Sequence, residues 1–420
     1  MQQFSDFGNF LNHGSGIVQL MDDLGSADQS DSRVIMLGGG NPGRIDEVEN
    51  YFRQLMTDLL ADGNVFEDMV AKYDSPIGNP EFRGALAQLL VKKYGWPISE
   101  KNIAITNGSQ SSFFVLFNLF SGKFGGQKTK KILLPLIPEY VGYADAGLGK
   151  EIFVANLPKI ERLENQMFKY RVDFDQLDVS NNIGAMCVSR PTNPTGNVLT
   201  NGEIEKLRKL CERINIPLIL DCAYGTPFPN IIFNDVKPYW DVNAVVCMSL
   251  SKLGLAGIRT GIVVANESII RRISSANAIL SLAPGSFGPT LMTKSLANEK
   301  IIQLSDAYIR PFYKAKALSA VATLHNKLAG LPYHIHEPEG AIFLWLWLEG
   351  LPITSQCLYQ RLKTRGVYVI PGENFFPGIA DSTWRHQQEC IRISYATDDK
   401  TVSDGIAIIA EEVHRAYKDR

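Results

Sequence analysis

Residues 244–248 form an apolar run that predicts a buried strand, and its end delivers Ser249, Ser251, Lys252, a glycine-rich turn and Arg259 in quick succession. Apolar neighbours with few acids nearby favour the uncharged, nucleophilic form of a lysine amine. Such an amine condenses with an aldehyde, while hydroxyls and a guanidinium match the oxygens of a phosphate. Ser249, Ser251, Lys252 and Arg259 together therefore suit an aldehyde that carries a phosphate, and pyridoxal phosphate is the biological example. On this stretch alone, a strand ending in a solvated loop with an incidental lysine and arginine explains the pattern equally well.

Further stretches separate the two. Gly108-Ser109-Gln110 opens a predicted helix, and free N–H groups at the positive end of a helix dipole seat a phosphate. Tyr140 lies in a loop after a predicted strand, where its ring can stack on a flat heterocycle. In isolation these are also what a plain helix start and a core tyrosine look like. Ser189-Arg190-Pro191-Thr192-Asn193-Pro194-Thr195-Gly196 is more specific: Asn193 before Pro194 is held extended, its amide free to donate to a ring oxygen. Asp221 ends an apolar strand, with Tyr224 three residues on. A carboxylate there needs a cationic partner, either a buried arginine or a protonated pyridine nitrogen. The second partner makes the ring an electron sink, and Tyr224 can then bond its phenolic oxygen beside Asn193. Arg392 sits in the strand-like Cys390-Ile391-Arg392-Ile393-Ser394, where a bidentate carboxylate is its best mate.

These residues fall at the ends of alternating elements. Strands are predicted at 102–106, 131–134, 151–155, 183–189, 217–220, 244–248 and 260–265. Helices intervene, among them one with an inner face of Ile204, Leu207, Leu210 and Ile214 behind a capping box at Thr200 and Glu203. Residues 138–143 read as a loop into another helix, and a more polar segment separates 155 from 183. Near-continuous apolar strands between amphipathic helices predict the α/β class, with a mainly parallel seven-stranded sheet covered by helices. Ligands of such sheets bind beyond the carboxyl ends of the strands. After about residue 290 the pattern changes to helices over 290–329, strands at 341–348, 367–370 and 391–395, and a closing helix at 401–418. We divide the chain into an N-terminal arm with part of the small lobe (1–45), a large domain (46–300) and a smaller α+β C-terminal domain (301–420).

Composition narrows the class. The 420 residues are 45% hydrophobic and 20% charged, with a formal net charge of −2, which suits no nucleic-acid or acidic-membrane partner. The six cysteines are scattered without a C-x-x-C, four of them inside apolar runs, as in a reduced, cytoplasmic protein without a metal centre. No signal peptide is read at the start, and the apolar runs are too short to span a bilayer. One motif misleads: Gly38-Gly39-Gly40-Asn41-Pro42-Gly43 follows an apolar run and satisfies G-x-G-x-x-G. A dinucleotide site fails on context, because a helical pattern over 45–60 leads to another over 65–73 and not to a second strand.

In order, Tyr73 and Gly78, Gly108-Ser109-Gln110, Tyr140, Asn193-Pro194-x-Gly196, Asp221-x-x-Tyr224, Ser249-x-Ser251-Lys252, Arg259 and Arg392 resemble the fold-type I pyridoxal-phosphate-dependent aminotransferases of class I and II, over essentially the whole chain. The resemblance implies that fold, that cofactor, and ping-pong exchange of an amino group between amino acids and 2-oxo acids. It implies that Lys252 is the Schiff-base lysine and proton carrier, that Asp221 pairs the pyridine nitrogen, and that Asn193 and Tyr224 bond the ring oxygen. Tyr140 would stack on the ring, and backbone at 108–110 with Ser249, Ser251 and Arg259 would hold the phosphate. Arg392 would grip the substrate α-carboxylate, near Asn193 and a mobile segment containing Gly38 and Gly40. Tyr73 would come from the neighbouring subunit of a homodimer with shared active sites.

The stretch Gly16-Ile17-Val18-Gln19-Leu20-Met21-Asp22-Asp23-Leu24-Gly25, with the Ser189-Arg190-Pro191 form of the asparagine loop, narrows the likeness to transfer from valine, or a similar small aliphatic amino acid, to pyruvate. An enzyme of the same class with another donor, or a lyase of the same fold, would keep every cofactor contact. A transcription regulator that senses the cofactor would need a DNA-binding module ahead of it, and residues 1–33 are too few and too acidic to supply one.

Overall fold

Seven of the eight strands of the central sheet are Ile103–Thr106, Lys128–Leu134, Phe153–Ala155, Ile183–Ser189, Leu218–Asp221, Ala244–Ser249 and Gly261–Val264. The computed structural model describes residues 3–11, 16–27, 34–126, 128–149, 151–180, 182–379 and 383–418. Across the sheet, Ile103–Thr106 is followed by Gly261–Val264, Ala244–Ser249, Leu218–Asp221, Ile183–Ser189 and Lys128–Leu134, with Phe153–Ala155 beyond. Both pairings of Gly261–Val264 are antiparallel and the rest are parallel. A short strand, Gly122–Phe124, adds a hairpin to the start of Lys128–Leu134. Ile183–Ser189 and Ala244–Ser249 are buried along their whole length, as strands covered on both faces must be.

Register decides what the strand ends bring together. Ser189 lies opposite Asp221, and Asp221 opposite Cys247; Ser249 lies opposite Gly261, and Gly261 opposite Thr106. Four carboxyl ends, with the segments that follow them, therefore meet along one edge. Local signals set the helices between. Asn79 caps Pro80–Tyr94 by accepting from the Phe82 N–H, and Gly95 ends it in the left-handed region. Thr200 accepts from the Glu203 N–H while Glu203 accepts from the Thr200 N–H, the reciprocal box that starts Asn201–Arg213.

The second sheet departs from expectation. Its six strands run in the order Ile370–Pro371, Cys390–Ser394, Phe343–Leu348, Tyr333–His336, Met167–Arg171 and Lys159–Arg162. The polar segment between 155 and 183 thus supplies a hairpin, which pairs in parallel with Tyr333–His336. That pairing buries Phe168, Lys169 and Tyr170, and an apolar pattern interrupted by a lysine hid it in the sequence. The strand expected at 367–370 is two short pieces. Val367–Tyr368 pairs with Ile35–Met36, and Ile370–Pro371 pairs with Cys390–Ser394. The helix expected after residues 138–143 does not form among the described residues: the loop itself holds a 3-10 turn, Val141–Tyr143, and the next element is the strand Phe153–Ala155. The pattern over 290–329 is Phe287–Ala297, Lys300–Leu304 and Arg310–Lys327, with a π-helical turn at Ser305–Ile309. All six cysteines are free, and Cys357 alone is exposed. Among the described residues no helix is long and apolar enough to cross a membrane.

Candidate active site

Beyond the sheet edge lies a cavity of ≈ 520 Å³. Gly40, Ser109, Gln110, Tyr140, Asn193, Asp221, Tyr224, Ser249, Ser251, Lys252, Arg259 and Arg392 all line it, from seven separated parts of the chain. Gly108 stands just behind, against Arg259. Tyr73 does not line it; it is 83% exposed, on the loop after the helix Val65–Ala71.

Lys252 leaves the Ala244–Ser249 strand on a one-turn 3-10 helix, Ser251–Leu253. Its Nζ donates to the Gly40 carbonyl at 2.6 Å and lies 5.3 Å from the centroid of the Tyr224 ring. Burial, with the positive charges of Arg392 and Arg259, pushes its pKa down to about 8, against the opposing pull of Asp221. The glycine run that resembled a nucleotide motif is therefore a backbone wall of this site. Its Gly40 carbonyl accepts from Lys252, and its Gly38 carbonyl accepts from Arg392 at 2.5 Å.

Asp221 accepts from the Tyr143 hydroxyl at 2.7 Å and from the Ala223 N–H at 2.9 Å, and neither donor is a cation. Burial pushes its carboxyl up despite both bonds. Arg392 is enclosed between the Phe343 and Phe375 rings, with its guanidinium carbon 4.0 and 5.2 Å from their centroids. It donates to Asn193 Oδ1 at 2.6 Å and to Gly38, neither of them an acid, and its buried Nε has no partner. Burial pushes its pKa down to about 10, so it stays charged at neutral pH. Because Asn193 accepts through Oδ1, its NH2 group is left as the donor.

At the other end of the cavity, Gly108 has φ 90°, and a Cβ there would meet Arg259 Nη2 at 2.2 Å, so only glycine lets the guanidinium lie along the start of the helix Ser109–Phe120. No side chain caps that helix, so its first N–H groups have no intrahelical acceptor. Arg259 donates to Ser251 Oγ at 3.3 Å and to the Ala256 carbonyl at 3.0 Å, and Ser249 Oγ donates to Ser251 Oγ at 3.0 Å. Gln110 turns its side-chain amide to the Gly142 carbonyl at 2.9 Å. The Tyr140 ring forms one wall, edge-on to Tyr143 at 5.5 Å between centroids.

The sequence reading did not assign Glu139, Tyr143 or Ser189 to the site. Ser189 donates through its N–H to Glu139 Oε1 at 2.8 Å, its hydroxyl bonds Glu139 Oε2, and it lies 3.3 Å from the Tyr143 hydroxyl that serves Asp221. A signal existed: Glu139 is the one charged residue among Leu133-Leu134-Pro135-Leu136-Ile137-Pro138-Glu139-Tyr140-Val141. Ile17 and Met21, one turn apart on the helix Gly16–Ala27, also reach the cavity.

Three cations and one buried acid thus meet in one cavity without an ion pair to another side chain there. Buried charges left without a charged partner are costly, so the set favours a ligand that brings anionic groups to the cations and a cationic group to the acid. The family model for aminotransferase class I and II matches residues 61–409.

The chain belongs to the aminotransferase class I and II family.

It is 49% identical over 416 residues to the valine–pyruvate aminotransferase of Escherichia coli K12, covering 99% of each chain. The crystal structure of valine–pyruvate aminotransferase from Salmonella typhimurium LT2 superposes with a TM-score of 0.88 at 46% identity, over 96% of this chain and 100% of that one. The aspartate aminotransferase of Thermus thermophilus, at 19% identity and a TM-score of 0.78 over 98% of this chain and 100% of that one, shares the fold. The family's cofactor is pyridoxal phosphate, and the residues of this cavity suit it. The bare helix start beside Arg259 fits a phosphate, and Asp221 fits a cationic ring nitrogen.

Proposed function

We propose that this aminotransferase moves the amino group of valine, or of a similar small aliphatic amino acid, to pyruvate, giving 3-methyl-2-oxobutanoate and L-alanine by ping-pong exchange. Its place would be in alanine and valine biosynthesis. The chemistry rests on one observation: Lys252, Arg259, Arg392 and Asp221 meet in one cavity without pairing with one another. The choice of donor and acceptor is supported by 49% identity, over nearly the full length, to an enzyme named for valine and pyruvate.

Bound pyridoxal phosphate supplies an aldehyde and a protonated ring that accepts electrons as the substrate's Cα proton leaves. Lys252 Nζ would hold the cofactor through that aldehyde and would carry the substrate's proton between carbon atoms. Asp221 holds the pyridine proton through its buried carboxylate. The Asn193 amide and the Tyr224 hydroxyl bond the ring oxygen, and Tyr140 covers the ring. Ser109 and Gln110 would present their N–H groups to the phosphate, with Ser249, Ser251 and Arg259, while the Gly108 N–H donates to the Thr106 carbonyl at 2.8 Å. Arg392 exchanges its neutral acceptors for the α-carboxylate of the substrate, beside Gly40 and Asn193. Ile17 and Met21 offer apolar surface to an aliphatic side chain.

The same reading makes the enzyme a cytoplasmic homodimer with shared active sites, in which Tyr73 reaches the phosphate of the neighbouring subunit. Free cysteines suit a reducing compartment. Tyr73 is exposed beside a face that borders the phosphate end: Asn277 donates to the Pro76 carbonyl, and Asn107 to Ser281, near the exposed Ile279, Leu280 and Leu282. Within each subunit we retain an arm (1–45), a large domain (46–300) and a small domain (301–420), with the Lys159–Arg162 and Met167–Arg171 hairpin crossing to the second sheet.

Purified protein given pyridoxal phosphate, valine and pyruvate should form alanine and 3-methyl-2-oxobutanoate in equal amounts. Background turnover with valine beside fast turnover with another donor would replace the donor. Release of ammonia without alanine would replace transamination by elimination.

A further inference from the structure

We infer that Glu139 is a positioning residue for the cofactor ring: as a protonated carboxyl it aligns Ser189 and Tyr143 into a one-way chain of hydrogen bonds that ends on the Asp221 carboxylate. The inference rests on the assignment of Asp221 to the pyridine nitrogen.

Counting protons on the chain carries it. The Tyr143 hydroxyl has one hydrogen, and at 2.7 Å it goes to Asp221. Ser189 also has one hydroxyl hydrogen and two neighbours for it, Glu139 Oε2 and the Tyr143 oxygen at 3.3 Å. If Glu139 is ionised, that hydrogen must turn to Glu139, and the Tyr143 oxygen receives nothing. If Glu139 keeps its proton, its O–H donates to Ser189, Ser189 donates to Tyr143, and Tyr143 donates to Asp221. Every hydrogen then points towards Asp221, and each bond in such a chain polarises the next.

The charges favour the second arrangement. Glu139 is buried, and it accepts from the N–H groups of Ser189 and Tyr140, interactions available to a neutral carboxyl as well. The titratable groups that face it are Asp221, at the end of the neighbouring strand, Cys187 on the strand of Ser189, and Tyr140 and Tyr143 on its own segment. None is a cation. A second anion two hydroxyls from Asp221 would be repelled by it, whereas a neutral Glu139 leaves Asp221 as the single anion for the ring nitrogen. Burial accordingly pushes the Glu139 carboxyl up to about 8.

Glu139→Gln separates this role from simple packing, because its amide can accept from the Ser189 N–H and donate to the Ser189 hydroxyl at every pH. Glu139→Met fills a similar volume and does neither. Infrared spectra of the wild-type protein at pH 6.5 should contain a protonated-carboxyl band that is missing in Glu139→Gln and shifted in Ser189→Ala. The holoenzyme's kcat should fall above a pH of about 8 relative to Glu139→Gln, which should otherwise keep near-normal turnover. Glu139→Met should lose about tenfold in kcat with little change in KM, the scale of one strong hydrogen bond. Its bound cofactor, labelled with ¹⁵N in the ring, should show a displaced nitrogen resonance.

Absence of the carboxyl band at pH 6.5 would overturn the inference, and that measurement needs no variant to fold. Equal losses in Glu139→Gln and Glu139→Met, or a ring nitrogen indifferent to Glu139→Met, would sink the relay and leave the functional reading standing. Failure of pyridoxal phosphate to bind the wild type would sink both.

Discussion

A free lysine keeps its proton to a pH of about 10.4, whereas burial with Arg392 and Arg259 brings Lys252 down to about 8. Below that value its amine is charged and inert; above it, the amine is a nucleophile. Covalent uptake of pyridoxal phosphate by the apoprotein, trapped with borohydride, should therefore quicken as pH rises through about 8 and then level off. Lys252→Ala should take up none covalently and lose turnover by several decades. A reducible bond to lysine in that variant would identify another residue as the true one. Arg392 differs in kind: its charge is secure, and its acceptors are what the substrate must replace. Loss of a buried bidentate pair costs about 2–5 kcal/mol. Arg392→Ala should weaken valine and pyruvate alike, but isobutylamine, which has no carboxylate, much less. Equal losses for valine and isobutylamine would contradict a carboxylate role.

Among elements, the loop of Asn193 depends on a hairpin far from it in sequence. Glu339, between the strands Tyr333–His336 and Phe343–Leu348, accepts from the Val198 N–H at 2.9 Å, from Asn234 Nδ2, and from Lys169 on the Met167–Arg171 strand. Lys169 also donates to the Val198 carbonyl at 3.2 Å, so both partners of a buried ion pair grip the end of the asparagine loop. Burial raises the Glu339 carboxyl, and the Lys169 charge opposes that rise. Lys169→Met would strand the carboxylate and should destabilise the fold by about 3–5 kcal/mol. Urea denaturation measures this, and Lys169→Met with Glu339→Gln should recover most of the loss. A loss below 1 kcal/mol in the single variant would mean that the pair holds nothing.

At the scale of the whole molecule, the exposure of Tyr73, outside the cavity of its own subunit, bears on the dimer. Lys252→Ala and Tyr73→Asp should each be nearly inactive, the second because it sets a carboxylate against a dianionic phosphate. A mixed dimer would then hold one site with both defects and one with neither. Unfolding and refolding the two together should restore activity, up to about a quarter of wild type for random pairing. Mixed dimers confirmed by mass, yet no more active than the two variants added together, would place Tyr73 outside the partner's site.

Much of this protein follows from the sequence alone. Seven of the eight strands of the central sheet were legible, because a strand buried on both faces must be apolar almost throughout, as in Ile183–Ser189 and Ala244–Ser249, whereas the short Gly122–Phe124 was not. The residues now gathered in the cavity were legible too, since Asn193, Asp221 and Lys252 each stand where an apolar run stops, a local feature. What required tertiary structure was whatever depended on partners distant in the chain. Lys169 marked its segment as polar until Glu339, 170 residues away in sequence, allowed it to be buried in a strand. Glu139 and Tyr143 looked like parts of an ordinary loop until the pairing of Ser189 with Asp221 set their polar atoms in line. Composition and spacing record what each residue can do; only the register of the sheet settles which groups come close enough to share a proton.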